Sequence, residues 1–69
     1  ASGDRARVRL AEIALREGRP AECVRYARAV LARDHEDRDE VLRLLGRGYE
    51  MLNRPRAAAE CFAGRLPQP

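Results

Sequence analysis

The chain has 69 residues, enough for one small domain whose core is only marginally stable without regular packing, a crosslink or a partner. Apolar residues make up 45% of the chain and charged residues 36%, which excludes a disordered protein, and no apolar run is long enough to span a membrane. All fourteen basic residues are Arg, and the net charge of +3 comes from two basic halves that flank an acidic segment at residues 34–40.

The first two helices are predicted at about 4–17 and 20–33. Asp4 is placed as the N-cap of the first helix, because its carboxylate can accept hydrogen bonds from free amides of the first turn. Gly18-Arg19-Pro20 separates the two helices, since Gly tolerates the left-handed conformation past a helix end and Pro suits the start of the next. Residues 1–3 are interpreted as the remnant of a tag or linker.

The last two helices are predicted at about 38–52 and 55–66. Asp37, with Glu40 three residues later, resembles a capping box for the third helix. Asn53-Arg54-Pro55 repeats the signal of the first turn and is predicted to join the third helix to the fourth.

Apolar and small residues recur at helical spacing on one face of each predicted helix, and no stretch alternates with the period of a strand. The fold class is therefore predicted to be all-α. The residues expected to face the core are Leu10, Ala11, Ala14 and Leu15, then Cys23, Ala27, Val30 and Leu31, then Val41, Leu42, Leu45, Tyr49 and Leu52, and finally Ala58, Phe62 and Leu66.

The chain matches itself when it is shifted by 35 residues. The shift superimposes the two turn triplets, and it also pairs Leu10-Ala11 with Leu45-Gly46, Cys23 with Ala58, Ala27 with Phe62 and Leu31 with Leu66. A helix-turn-helix unit of about this length is the pattern of tetratricopeptide repeats. The second unit resembles that family more closely, since its leucine-glycine, tyrosine, alanine and phenylalanine signature is matched by Leu45-Gly46, Tyr49, Ala58 and Phe62.

This resemblance implies two antiparallel helix-turn-helix pairs, stacked as a fragment of a right-handed solenoid. The helical domain would cover residues 4–66. Repeat one would occupy about 4–37 and repeat two about 38–66, and residues 67–69 would form a C-terminal tail.

In tetratricopeptide arrays the first helix of each unit lines a concave groove, so the resemblance implies a protein or peptide partner and no catalysis. The matching residues here are Arg5, Val8, Glu12, Leu15 and Arg16, with Glu40, Arg43, Arg47, Glu50 and Met51. Four Arg beside apolar side chains would suit a partner with acidic and apolar positions, because a guanidinium binds a carboxylate through two hydrogen bonds. The alternative is that these Arg form a solvated face without a partner.

Two repeats are fewer than such stacks need, and the fourth helix is expected to leave one face uncovered. The residues assigned to this face are Ala59, Cys61, Phe62, Ala63 and Leu66. We expect a second copy of the chain, or a neighbouring segment of a longer one, to cover it.

Catalytic, cofactor and metal sites are not predicted. His35 is the only His and lies in the acidic segment, where an exposed loop residue is favoured over a weak metal or pH-sensing site. Ser2 is the only Ser and the chain has no Thr, which excludes serine-type nucleophiles. Cys23 and Cys61 are interpreted as reduced packing residues rather than as a disulfide or a redox pair.

The predicted localisation is cytoplasmic. It rests on the reduced cysteines and on the first residues of the chain, where Arg5, Arg7 and Arg9 interrupt any hydrophobic region of a signal peptide.

Two alternative functions remain open. The chain also resembles the tetratricopeptide-like activator domain of some bacterial transcription regulators, which contacts proteins, over residues 24–34, 44–49, 53–54 and 58–62. The all-Arg, Ala-rich composition is typical of a high-GC genome. A basic helical nucleic-acid-binding module is less favoured, because eleven acids are interleaved with the Arg and no aromatic platform is present. Several charges are also predicted to support the helices as pairs, namely Glu12 with Arg16, and Arg43 and Arg47 with Glu40 and Glu50.

Overall fold

The computed structural model describes residues 2–33 and 37–68 and, within these ranges, contains four helices and no strand. In chain order they are α1 (Ser2–Arg16), α2 (Pro20–Leu31), α3 (Arg38–Met51) and α4 (Pro55–Phe62). The predicted all-α class is confirmed.

The two short turns between helices have the same backbone geometry. Gly18 and Asn53 both adopt the left-handed conformation, with φ of 75° and 61°. In each turn the amide of the following Arg donates a hydrogen bond to the carbonyl five residues earlier, over 2.8 Å and 2.9 Å. Hydrogen bonds of this kind at a helix end satisfy carbonyls that would otherwise lack partners. The triplets that look alike in the sequence are therefore equivalent turns.

Each helix packs against its neighbours in the chain, and α1 also packs against α3. Among the described residues, α4 approaches neither α1 nor α2. The helices thus form two stacked hairpins, with α3 as the only described helix that contacts all the others.

The hairpins fix the direction of α3 relative to α1. A Cβ atom built on Gly48 near the end of α3 would lie 3.6 Å from the carbonyl oxygen of Pro20 at the start of α2. At the other end, Nη1 of Arg38 donates to the carbonyl oxygen of Leu31 over 3.5 Å. Since α2 runs antiparallel to both of its neighbours, α1 and α3 run parallel.

The core consists of two adjoining clusters, a larger one from α2, α3 and α4 and a smaller one from α1 and α2. Most residues predicted to face the core are buried: Ala11, Ala14, Cys23, Ala27, Val30, Leu31, Val41, Leu42, Leu45, Tyr49 and Ala58. The prediction is wrong for Leu10, Leu52 and Phe62, which are exposed. Leu10 and Leu52 are left exposed on α1 and at the end of α3, and Phe62 contacts α3 with one side of its ring while the other side stays exposed.

The start of α1 differs from the prediction. Asp4 is not an N-cap, because the helix already begins at Ser2, and Ser2 and Gly3 are its first residues. The Asp4 side chain is nearly buried, and its Oδ1 lies 3.3 Å from Nη1 of Arg33 and 3.6 Å from Nη1 of Arg7. Asp4 therefore ties the start of α1 to the residues just after α2.

The start of α3 also differs in detail. Asp37 occupies the N-cap position, but its side chain makes no capping hydrogen bond, so the predicted capping box with Glu40 is wrong. The physical reason is the backbone: at φ −101° and ψ 38°, Asp37 lies outside the β-region conformation that directs an N-cap side chain at the first turn.

The end of α4 comes earlier than predicted, at Phe62 instead of residue 66. Gly64 adopts a left-handed φ of 90°, and the Arg65 amide bonds to the carbonyl five residues earlier, as in the two other turns. Leu66 packs against the larger cluster from non-helical backbone, and Pro67 is buried. The first residue of the predicted C-terminal tail, Pro67, thus packs onto the domain.

Candidate functional site

An open groove runs along the solvent side of α3, between α1 and the end of α4. Its volume is about 920 Å³, which is room for several side chains of a partner. It is lined by Val8, Glu12, Leu15 and Arg16 of α1, by Glu40, Arg43, Leu44, Arg47, Glu50 and Met51 of α3, and by Phe62 of α4. The groove forms because α1 and α3 run parallel and present repeat-equivalent faces to the same side.

The structure brings nine of the ten residues predicted to line a partner groove into this one groove. Arg5 is the exception: it is exposed on α1 and does not line the groove. The sequence interpretation missed Leu44 and Phe62. Leu44 packs partly against the smaller cluster. For Phe62, the sequence predicts a place on the uncovered face of the fourth helix instead.

Phe62 reaches the groove because α3 has a glycine beneath it. A Cβ atom built on Gly46 would lie 2.7 Å from Cε1 of Phe62, which is closer than real Cβ atoms approach other side chains. The ring therefore lies against the α3 backbone while 47% of the residue surface stays exposed. A glycine in the middle of a helix, with one large aromatic residue in the next helix, was the sequence signal for this contact.

The six charged residues of the groove, three Arg and three Glu, have no described partner. None of them forms an ion pair or a side-chain hydrogen bond with another described residue; they are Glu12, Arg16, Glu40, Arg43, Arg47 and Glu50. The helix-supporting pairs predicted among these residues are therefore wrong. The i, i+3 and i, i+4 spacings allow such pairs, but exposed pairs gain too little energy to hold two long side chains together.

The ion pairs of the described residues lie away from the groove. One group joins Asp4 to Arg33 and Arg7, and another surrounds the first turn, where Arg19 lies 2.6 Å from Glu17 and 3.2 Å from Glu22. The charges that form ion pairs thus stabilise helix ends, whereas the groove charges form none with other described residues.

The face that we assigned to the fourth helix is smaller than predicted. Cys61 is buried in the larger cluster, Leu66 is half-buried, and Phe62 lines the groove. Only Ala59 and Ala63 remain as an exposed strip, because α4 turns its Cys61 side toward α3.

Both cysteines are buried in the core clusters, which confirms their interpretation as packing residues, and they do not bond to each other. Burial raises the pKa of the Cys23 thiol from 9.0 to about 11, and its Sγ donates to the Leu44 carbonyl oxygen over 3.7 Å. Burial also raises the pKa of Cys61, against a smaller opposing effect of Arg28. A thiol held in its protonated form at neutral pH is a poor nucleophile.

His35 lies outside the described residues, so its predicted role in a loop stays a prediction. Within the described part of the chain, no group of His, Cys, Asp or Glu side chains is arranged to hold a metal ion. No helix there combines the length and the apolar character that crossing a bilayer requires.

Comparisons of the chain with protein-family models, with curated proteins and with solved structures give no match. The resemblance to tetratricopeptide repeats therefore remains a prediction from the sequence.

Proposed function

We propose that this chain is a non-enzymatic, cytoplasmic protein-binding module that holds a peptide or helix of a partner protein in the groove along α3. The observation that carries the proposal is the coincidence of unpaired charges and exposed apolar side chains in one concave surface. The module would act within a larger assembly or a longer chain.

The apolar part of the groove supplies a reason to bind. Met51 is 51% exposed and Phe62 is 47% exposed, and both line the groove beside Leu15 and Leu44. Covering such side chains removes apolar surface from water, which contributes on the order of 1 kcal/mol for each half-exposed residue. Aromatic residues and Arg are also the types that most often dominate the energetics of protein interfaces.

The repeat geometry supports the same function. The first helix of each hairpin lines the groove, as the resemblance to tetratricopeptide repeats implies, and the two turns share one backbone geometry. A role as the activator or oligomerisation domain of a bacterial transcription regulator is one form of this proposal, because that kind of domain also contacts proteins.

Direct binding of nucleic acid is less favoured by the groove. Glu12, Glu40 and Glu50 lie among its Arg, and carboxylates repel the phosphates that would have to track through it. The protein-binding proposal has no such conflict, because a polypeptide partner can carry both signs of charge.

Affinity capture tests the proposal when two variants are run beside the unmodified chain. Arg43→Ala with Arg47→Ala removes two groove charges, and Arg54→Ala with Arg56→Ala removes two exposed Arg outside the groove. Proteins captured by the unmodified chain and by the control, but lost from the groove variant, are the expected result. Capture that is the same for all three proteins would count against the groove.

A further inference from the structure

The charges along α3 follow a fixed order. Glu40, Arg43, Arg47 and Glu50 are separated by three, four and three residues, so they lie on one helical face, and all four line the groove. At a rise of about 1.5 Å per residue, they extend over about 15 Å, or roughly three helical turns. The α3 side of the groove therefore presents a positive centre with a negative charge near each end.

This order specifies the complementary surface. A partner helix that lies along α3 would place acidic residues opposite Arg43 and Arg47 and basic residues opposite Glu40 and Glu50. Opposite charges pair favourably across an interface, and like charges placed together cost binding energy and exclude wrong partners. Because none of the four is paired within the described residues, no internal ion pair has to break first.

The α1 side of the groove sets the direction of the partner. The order of signs along α3 is the same when read from either end, so α3 alone accepts a helix in both directions. On α1, Glu12 precedes Arg16 by one turn, and α1 runs parallel to α3. The α1 side therefore changes from negative to positive along the groove, which favours one of the two directions.

We propose that the groove binds an amphipathic helix of about three turns with two acidic residues at its centre and a basic residue toward each end. Apolar residues of that helix would cover Leu44, Met51 and Phe62. This inference rests on the proposed function and narrows it, because a purely acidic peptide would face the unpaired carboxylates at both ends of α3.

A displayed library of helical peptides tests the inference directly. Each peptide is an amphipathic helix of constant sequence except at four positions, which have the same spacing of three, four and three residues as the four charges of α3. These four positions are varied among Glu, Lys and Gln. We expect peptides with Lys, Glu, Glu and Lys in that order to be enriched at least tenfold over peptides with four Glu. Two variants of the chain serve as controls. Glu40→Gln with Glu50→Gln should abolish the preference for Lys at the ends of the peptide. Arg43→Gln with Arg47→Gln should abolish the preference for Glu at its centre.

The outcomes separate the inference from the proposed function. Enrichment of peptides with four Glu would overturn the inference and leave the protein-binding groove intact. A variant chain with Gln at residues 40, 43, 47 and 50 serves as the reference. If the unmodified chain enriches no peptide relative to this variant, the inference and the proposed function are both overturned. Sedimentation equilibrium of the chain alone adds a further outcome: a dimer that Glu40→Gln with Glu50→Gln dissociates would place a second copy in the groove and contradict the inference.

Discussion

Gly46 lies directly beneath the ring of Phe62, so close that a Cβ atom at residue 46 would lie 2.7 Å from Cε1 of that ring. The contact joins α3 to α4 and turns an aromatic residue toward the groove instead of the core. The ring is the far end of a flexible, half-exposed side chain, so it can swing aside when it is pushed. Its position in the groove therefore depends on the missing side chain at Gly46.

Gly46→Ala should weaken partner binding while changing stability little. Ala is about 1 kcal/mol more favourable than Gly within a helix, and this gain offsets the loss of packing by the displaced ring. Urea denaturation should show a free energy of unfolding within about 1 kcal/mol of the unmodified chain. Calorimetry with a captured partner should show an affinity lower by about tenfold, equivalent to about 1.4 kcal/mol.

Gly48→Ala is the matched control for this substitution. A Cβ atom at Gly48 would lie 3.1 Å from Cγ2 of Val24 and 3.3 Å from Sγ of Cys23, on the core side of α3. Cys23 is fully buried and can give way less than the Phe62 ring, so the crowding should outweigh the gain from Ala in the helix, and this variant should lose stability without a specific effect on the groove. Equal effects of the two substitutions on binding would contradict the role given to Phe62.

The two turns should tolerate an exchange of their left-handed residues. Gly18→Asn and Asn53→Gly should each change the free energy of unfolding by less than about 1 kcal/mol, because Asn and Gly both enter this conformation readily. Gly18→Val should cost about 1–2 kcal/mol or more. No described residue lies within 4 Å of a Cβ at Gly18, so backbone strain and not a clash causes that loss. Thermal unfolding of the three variants measures it, and a well-tolerated Val would contradict the turn geometry.

Arg28 should hold the end of the chain against the domain. Its Nη1 donates to the hydroxyl oxygen of Tyr49 over 2.8 Å and to the carbonyl oxygen of Pro67 over 3.1 Å. Arg28→Ala should lower the free energy of unfolding by about 2–3 kcal/mol, because two charge-assisted hydrogen bonds are lost together.

Two controls separate these bonds in the same urea titrations. Tyr49→Phe keeps the bond to Pro67 and should cost about 1 kcal/mol. Arg25 is an exposed residue of α2, like Arg28 a member of that helix, and its Cζ lies 5.6 Å from the centre of the Tyr26 ring. Arg25→Ala should lower the free energy of unfolding by less than about 1 kcal/mol. A loss at Arg28 no larger than at Arg25 would show that the tail is not held.

Cys23 should make the domain less stable at alkaline pH. The folded-state pKa of about 11 lies above the ordinary value of 9.0, so the folded state holds the proton more tightly than the unfolded state. The contribution to stability is complete below pH 9 and is lost as the pH rises toward 11, by up to about 3 kcal/mol. Urea titrations at pH 8 and pH 10.5 measure this loss.

Cys23→Ala is the control for the pH dependence, since Ala58 occupies the equivalent position of the second repeat. The variant should lose less stability between the two pH values than the unmodified chain does. Other groups that titrate in this range are present in both proteins, so their difference isolates the thiol. Identical pH profiles would contradict the assignment.

The helices and their buried faces could be predicted from the sequence because their signals are local. Gly18-Arg19-Pro20 and Asn53-Arg54-Pro55 mark two turns, and apolar spacing marks the faces of α2 and α3. The resemblance to tetratricopeptide repeats implies which residues line the groove, and nine of those ten lie together because α1 and α3 run parallel.

The wrong predictions concern features that depend on contacts between one element and its neighbours. Leu66 fits helical spacing, yet it packs on the core from the non-helical backbone that follows Gly64. Small residues occupy nearly every face of α4, so the apolar spacing in the sequence does not indicate that Cys61 faces the core. The place of Phe62 depends on the room above Gly46, a contact between two helices that no local pattern contains.

The central claim is that a polypeptide partner binds along α3. Amide chemical-shift mapping of the labelled chain, titrated with the most strongly enriched peptide of the helical library, tests it most directly. The largest shifts are expected at groove residues such as Val8, Arg43 and Arg47, with residues on the exposed side of α2, such as Arg25 and Ala29, unchanged. Largest shifts on α2, or no shifts at saturating peptide, would contradict the claim.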